Sequence, residues 1–223
     1  MSAPDTIAEA YRHCEQIVRL HDKDRYLASL YAPAERRPYL FALYAFALEI
    51  GRVRALVKEP MAGTIRLQWW HDALSGLRPA EAAASPVMIA LQDTSEKTGI
   101  ALTPLVTAVE ARQDELHGEP AEGAASVIFI MGAFVLGAEN DAVIAAAEPA
   151  AQAVTCVIGS YDLDKARAAY AAFRAQAESL PDTALPAFLT VALVPLLLRR
   201  PRAQQWRRQI ELLRAAWFGF PKP

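Results

Sequence analysis

The chain has 223 residues, 53% of them apolar, and its 23 Lys and Arg nearly cancel 25 Asp and Glu to leave a formal net charge of −2. That length supports one substantial core and is short for two, so a single domain over residues 1–223 is expected. The balanced charge gives no electrostatic footprint for a nucleic-acid partner. Two cysteines, Cys14 and Cys156, sit far apart inside apolar patterns and read as buried reduced thiols rather than a disulfide. The opening MSAPDTIAEAYRHC has neither an apolar signal core nor a basic transit pattern, which reads as a cytoplasmic protein.

Strand signals are sparse and alanine and leucine dominate, so the fold is predicted to be all-α. A first helix is expected to start near Ser2 to Asp5, where Ser-x-x-Asp offers a capping box, and to bury Ile7, Ala10, Tyr11, Cys14, Ile17 and Val18. Asp22 can cap a short helix carrying Tyr26, Leu27 and Leu30. The longest periodic stretch, from Ala34 to Val57 between Pro33 and Pro60, predicts a central helix through Leu40, Leu43, Tyr44, Ala47, Leu48 and Ala55. The next runs from Met61 to Leu77 and stops at Gly76, and a loop rich in alanine, proline and serine follows up to Pro86. Further helices are predicted over 86–97, 103–117, 123–138, 140–160, 162–179, 184–198 and 202–217, without heptads or repeats, which favours a globular bundle.

Two apolar runs invite a membrane reading. A spanning helix needs ~20 apolar residues; Ser126 to Ala138 is too short, and Ala184 to Leu198 is interrupted by Pro186 and Pro195. Both are expected to be core helices. Arg199, Arg200, Arg202, Arg207 and Arg208 form the one basic stretch, readable as a solvated helix face or as a docking patch.

Zinc spacings, phosphate loops, GxGxxG fingerprints and nucleophile elbows are absent from the sequence. His13, His21, His71 and His117 show no ligand spacing. The informative region is DKDRYLASLYAPAERRPYLFALYAFALEIGRV followed by EPMAGTIRLQWWHDAL. With its ALYAF-type and RLxWW-type helices it resembles the N-terminal third of squalene/phytoene synthase family proteins. VEARQDEL and AQAVTCVIGS resemble later segments of the same family, and the resemblance thins after Gly118, where this chain is several helical turns shorter than full-length relatives.

The resemblance implies an isoprenoid-synthase-type helical bundle in shortened form. It also implies where chemistry would sit. Active members carry aspartates one turn apart on facing helices, which bind magnesium ions that hold and ionise an allylic diphosphate. In this chain Gly51, Arg52 and Ala55 fall where the first aspartate motif would be, and Gly159 and Ser160 where the second would be. Asp162 and Asp164 are too close together for its DxxxD spacing. An arginine in place of an aspartate repels a divalent cation, so no magnesium cofactor is expected.

Glu49 is the one carboxylate within a turn of the lost motif and reads as a partner of Arg52 or Arg66 rather than a catalytic base. Arg52 and Arg66, with Arg54, could instead grip an anion without metal. Tyr44, Trp69 and Trp70 could line a prenyl-chain cavity or pack in the core, and since adjacent helix residues point about 100° apart, at most one tryptophan faces a given cavity. Gln152 and Thr155 match polar positions of the family's second helix and could tie helices together.

Two functions follow from the resemblance. The first is a non-catalytic relative, similar to the mitochondrial squalene/phytoene synthase-like proteins that assist assembly of respiratory complex I. Its partners would be proteins at the inner face of a membrane, reached through the basic stretch and the aromatic tail Trp217, Phe218 and Phe220. The second is a prenyl diphosphate transferase with altered ligands, the one case in which magnesium would be needed. A weaker third is a carrier that keeps an isoprenoid or lipid in a prenyl-shaped cavity.

Overall fold

Proline placement decides where the helices of this protein begin. A computed structural model describes residues 3–57, 59–119, 121, 123–160 and 162–220, and among them the chain is helical without strands. The Ser2–Asp5 capping box lies outside the described residues. Helix α1 spans Ala3–His21 and α2 Lys23–Ser29. The predicted helix over 34–57 is instead two. Residues 33–36 form a turn in which the Arg36 and Arg37 amides donate to Pro33 O (2.9 and 3.2 Å), and α3 covers Arg37–Gly51 with Pro38 in its first turn. Pro38 lacks the N–H a helix from Ala34 would need there, whereas the first turn has no such demand. At the other end Arg52 interrupts the helix, and α4 (Val53–Leu56) is a separate turn held by Arg52 O, which accepts from the Ala55 and Leu56 amides.

Helix α5 (Pro60–Leu74) begins on a proline and ends at Gly76, whose φ of +76° suits glycine, with Leu77 N donating back to Asp72 O and Gly76 N to Ala73 O. The stretch read as a loop holds a short helix, α6 (Pro79–Ala82). Helices α7 (Pro86–Thr98) and α8 (Pro104–Leu116) again start on proline, α9 spans Ala124–Phe134, and α10 Asp141–Thr155 is capped by the Asn140 side chain. Instead of running to residue 160, α10 loosens into a π-helical turn at Cys156–Ser160. After α11 (Leu163–Ala177), the predicted helix over 184–198 is broken into α12 (Leu185–Phe188), a 3₁₀ stretch Leu189–Leu193 and α13 (Val194–Arg199). Pro195 cannot donate to the preceding turn, so the helix restarts there. The last, α14, is Gln205–Phe218.

Contacts group the chain into two compact units, each drawn from separated segments: one unites α1 with Pro38–Ile128, the other Asp24–Arg37 with the chain from Phe129 onward. In the first unit α3 is buried continuously from Leu40 to Phe46, which marks a core helix rather than an amphipathic surface one. Helix α1 packs on α7 and α5 on α8, and the buried Trp70 meets Phe46 edge-on at 5.1 Å between ring centres. Tyr11 of α1 donates to Asp93 Oδ2 of α7 at 2.7 Å, and Lys97 pairs with the same carboxylate at 2.8 Å.

In the second unit α10 packs on α11, and both helices bury small side chains, Ala146, Ala147, Ala150 and Ala153 on one and Ala166 and Ala169 on the other. Phe188 stacks with Phe129 (5.2 Å) and Phe173 (5.9 Å). Helix α2 is tied to α14 by Asp24, which pairs with Arg208 and accepts from Gln205 Nε2 at 3.1 Å. The segments Asp141–Gly159 and Asp182–Arg199 are long and apolar enough to cross a membrane by length and composition. Most of the second is buried in the structure.

Candidate functional site

The segment that would carry the first aspartate motif ends α3. Glu49, Gly51 and Arg52 follow one another as the helix leaves the core, with Glu49 and Gly51 half-buried and Arg52 exposed. Burial pushes the Glu49 carboxyl above its ordinary range, and the charges of His13, Arg66 and Arg52 pull it part of the way back. The two arginines thus act on Glu49 through the field, and among the described residues neither closes an ion pair with it. Glu49 also helps hold the buried Cys14 thiol protonated, its pKa pushed up to about 12 chiefly by burial.

At Gly51 a guanidinium stands near the place an aspartate would occupy. Arg112 of α8 lies with Nη2 4.0 Å from where a Cβ on Gly51 would be. Its Nη1 donates to Glu115 Oε2 at 2.7 Å, and Arg54 of α4 approaches the other oxygen of Glu115 at 3.5 Å. The Arg112 Nε is buried without a hydrogen-bond partner. Arg52 and Arg66 thus act on Glu49, and Arg54 and Arg112 on Glu115, two arginines to each glutamate. Magnesium takes hard oxygen ligands, usually carboxylates. The residues present do not fit it: a glycine, a guanidinium and an exposed methyl (Ala55) replace the acids, and no three His, Cys, Asp or Glu side chains converge among the described residues.

The second segment lies in the other unit. Gly159 is exposed in the π-helical turn, and an added Cβ would meet nothing within 4 Å; Ser160 closes that turn. The two nearby acids are used locally. Asp162 caps α11 by accepting from Lys165 N at 3.0 Å, and Asp164 pairs on the surface with Arg167 at 2.7 Å. The half-buried Gln152 sits on α10, while the exposed Thr155 hydroxyl donates to Ala151 O (2.8 Å) and Gln152 O (3.3 Å) of its own helix. Thr155 therefore satisfies its hydroxyl on its own helix, just before the π-helical turn, instead of tying one helix to another.

Of the aromatic candidates, Tyr44 and Trp70 are buried in the first unit's core. Trp69 is half-buried, meets Trp70 edge-on at 4.9 Å and donates through Nε1 to Glu81 of α6 at 2.8 Å. Arg66 is exposed. Arg112, Glu115 and His13 were not singled out by the sequence. The Arg-x-x-Glu spacing in VEARQDEL signals the pair within α8, but its position beside Gly51, 61 residues earlier in the chain, does not show in any local pattern.

A family description reading squalene/phytoene synthase matches residues 18–158. Among curated proteins the chain is 30% identical over 105 residues to NADH dehydrogenase (ubiquinone) complex I, assembly factor 6, of Bos taurus, covering 47% of this chain and 32% of that protein. It is 31% identical over 104 residues to the Homo sapiens protein of the same name (47% and 31% covered). It is 39% identical over 64 residues to the Drosophila melanogaster homolog (28% and 19% covered). Each match thus spans under a third of the relative's length. No solved structure matches.

Proposed function

Because the chain belongs to the squalene/phytoene synthase family yet places arginines where that family's magnesium-binding acids are expected, we propose that it is a non-catalytic member acting as an assembly factor for a respiratory NADH dehydrogenase complex. The observation that carries this reading is the Arg112 guanidinium 4.0 Å from the Cβ position of Gly51. A cation built into the fold there opposes a divalent ion, and without that ion the loss of diphosphate from an allylic substrate has nothing to neutralise the leaving group. The names of the curated relatives supply the assembly role and with it a protein partner; the inner face of a membrane as the meeting place is part of the proposal. In this reading the protein uses neither metal nor cofactor, and its retained helices present a surface.

The test is loss of the protein in its own host, followed by native electrophoresis of membrane complexes. The proposal expects assembled NADH dehydrogenase to fall and partial complexes to accumulate, with recovery by the wild-type chain and equally by Glu49→Gln, which removes the one carboxylate of the lost motif. Normal assembly without the protein, or rescue that requires Glu49, overturns it.

A further inference from the structure

Helix α14 is buried on one side only. Leu212 and Ala215 face the 3₁₀ segment Leu189–Leu193, and Arg208, on the same side, is spent on Asp24. At about 100° per residue, Trp206, Ile210, Leu213 and Trp217 fall in one stripe on the opposite side. All four are exposed, with Trp206 at 50% and Trp217 at 75%, and Phe218, about 100° further round at the end of the helix, is 86% exposed. From ring and aliphatic side-chain areas the stripe offers on the order of 600 Å² of open apolar surface, the upper end of what a soluble monomer leaves uncovered.

Its charge setting is one-sided. Arg207 and Arg214 flank the stripe on the same edge, Arg207 with its guanidinium 4.5 Å over the Trp206 ring and Arg214 3.8 Å from Glu211. Just before α14, Arg199, Arg200 and Arg202 are exposed and enter no ion pair among the described residues. No acidic side chain lies in the stripe or between Arg199 and Arg208, and Glu211, beside Arg214, is the one acid on this helix. A bulky indole at each end of a short apolar stripe, with unpaired guanidinium groups at its N-terminal edge, has the composition of a helix lying in the headgroup layer of a bilayer. Tryptophan favours that depth and arginine pairs with phosphate.

We propose that α14, with Arg199, Arg200 and Arg202, is a peripheral binding element for an anionic lipid surface, lying parallel to it with Trp206, Ile210, Leu213, Trp217 and Phe218 inserted. The occupant is committed by charge: net positive and aromatic-ended, the face complements phosphate headgroups, whereas a protein partner would need its own acidic rim. The element is separate from the Gly51–Arg112 cluster, so its role does not depend on whether the chain catalyses anything.

The experiment is co-sedimentation of the whole chain with vesicles of phosphatidylcholine alone and of phosphatidylcholine mixed with phosphatidylglycerol. Binding is expected only to the mixed vesicles and should weaken as salt rises. Arg199→Gln, Arg200→Gln and Arg202→Gln together should lower the partition coefficient about a hundredfold, at roughly fivefold per arginine charge removed near an anionic surface. Trp206→Ser with Trp217→Ser should lower it at least about tenfold. Both sets lie on exposed positions, and circular dichroism checks that each variant keeps the wild-type helix content. Ile65→Ser, on an exposed apolar residue of the other unit, should leave binding unchanged. Absence of binding to mixed vesicles, equal binding to phosphatidylcholine alone, unchanged binding in folded α14 variants, or occupation of this face by a protein without lipid binding would each overturn the proposal.

Discussion

Gly51→Asp puts back one acid at the lost motif and asks whether the surroundings allow it to work. Gly51 is the last residue of α3 and is half-buried. Replacing glycine there gains ~0.3 kcal/mol of helix propensity, a carboxylate at a helix C-terminus costs ~0.5 kcal/mol, and pairing with Arg112, whose Nη2 is 4.0 Å from the new Cβ, returns ~0.5–1 kcal/mol in a partly exposed setting. The terms nearly cancel, so the melting temperature should stay within about 2 °C of wild type. Magnesium is a different matter. A divalent ion held by that carboxylate ~6 Å from the guanidinium, at an effective dielectric of ~20, is repelled by about 5–6 kcal/mol, which opposes much of what a single carboxylate supplies, and Arg52, Arg54 and Arg66 add to the repulsion while Glu49 and Glu115 reduce it. Scanning calorimetry with and without MgCl₂, joined to titration of MgCl₂ into the variant, should therefore show no shift and no saturable heat. A saturable magnesium isotherm in Gly51→Asp, or a loss of several degrees without metal, would refute the placement of Arg112.

The polar tie between α1 and α7 should be measurable by urea denaturation. Asp93→Ala removes the acceptor for Tyr11 and the partner of Lys97 and should cost about 2–3 kcal/mol, with Tyr11→Phe near ~1 kcal/mol and Lys97→Ala under ~0.5 kcal/mol; equal costs for all three would contradict the geometry. Glu49 titrates above its ordinary value of 4.5 because of burial, so its contribution to stability is present below that value and is lost as pH rises through the raised folded value. Glu49→Gln should accordingly gain on wild type as pH climbs from about 4 to 8, and a variant that instead loses ground over that range would reverse the sign argued here. Cys14 and Cys156 are both buried, and the Cys14 thiol is held up to about 12. A thiol reagent at mildly alkaline pH should label neither until the chain is unfolded, and prompt native labelling of Cys14 would show that its surroundings are open.

Helix content was legible because alanine, leucine and the spacing of apolar residues leave little else for the chain to do. Most ends were also legible: Pro86 and Pro104 open α7 and α8, and Gly76 closes α5. Two of the departures share one cause. Pro38 and Pro195 sit inside long apolar patterns that continue across them, although each removes a donor that the preceding turn needs. The break at Arg52 and the π-helical turn at Cys156–Ser160 have weaker local signals, since both depend on how a helix end is packed.

At the candidate site, the missing acids could be read directly because the flanking ALYAF and RLQWW segments fix the positions where they would stand. What replaced them could not. Arg112 reaches Gly51 only through the packing of distant segments within one unit, and the field that His13 and Arg66 exert on Glu49 has the same origin. The tryptophans divide as the 100° rule requires, Trp70 inward and Trp69 toward Glu81.

Titration of farnesyl diphosphate into the wild-type protein in the presence of MgCl₂, with product analysis of the same mixture, bears hardest on the loss of chemistry. Guanidinium groups at the metal position should leave no magnesium-dependent binding heat and no released diphosphate. Magnesium-dependent binding followed by diphosphate release would mean that the family's reaction survives in this chain on groups other than the missing aspartates.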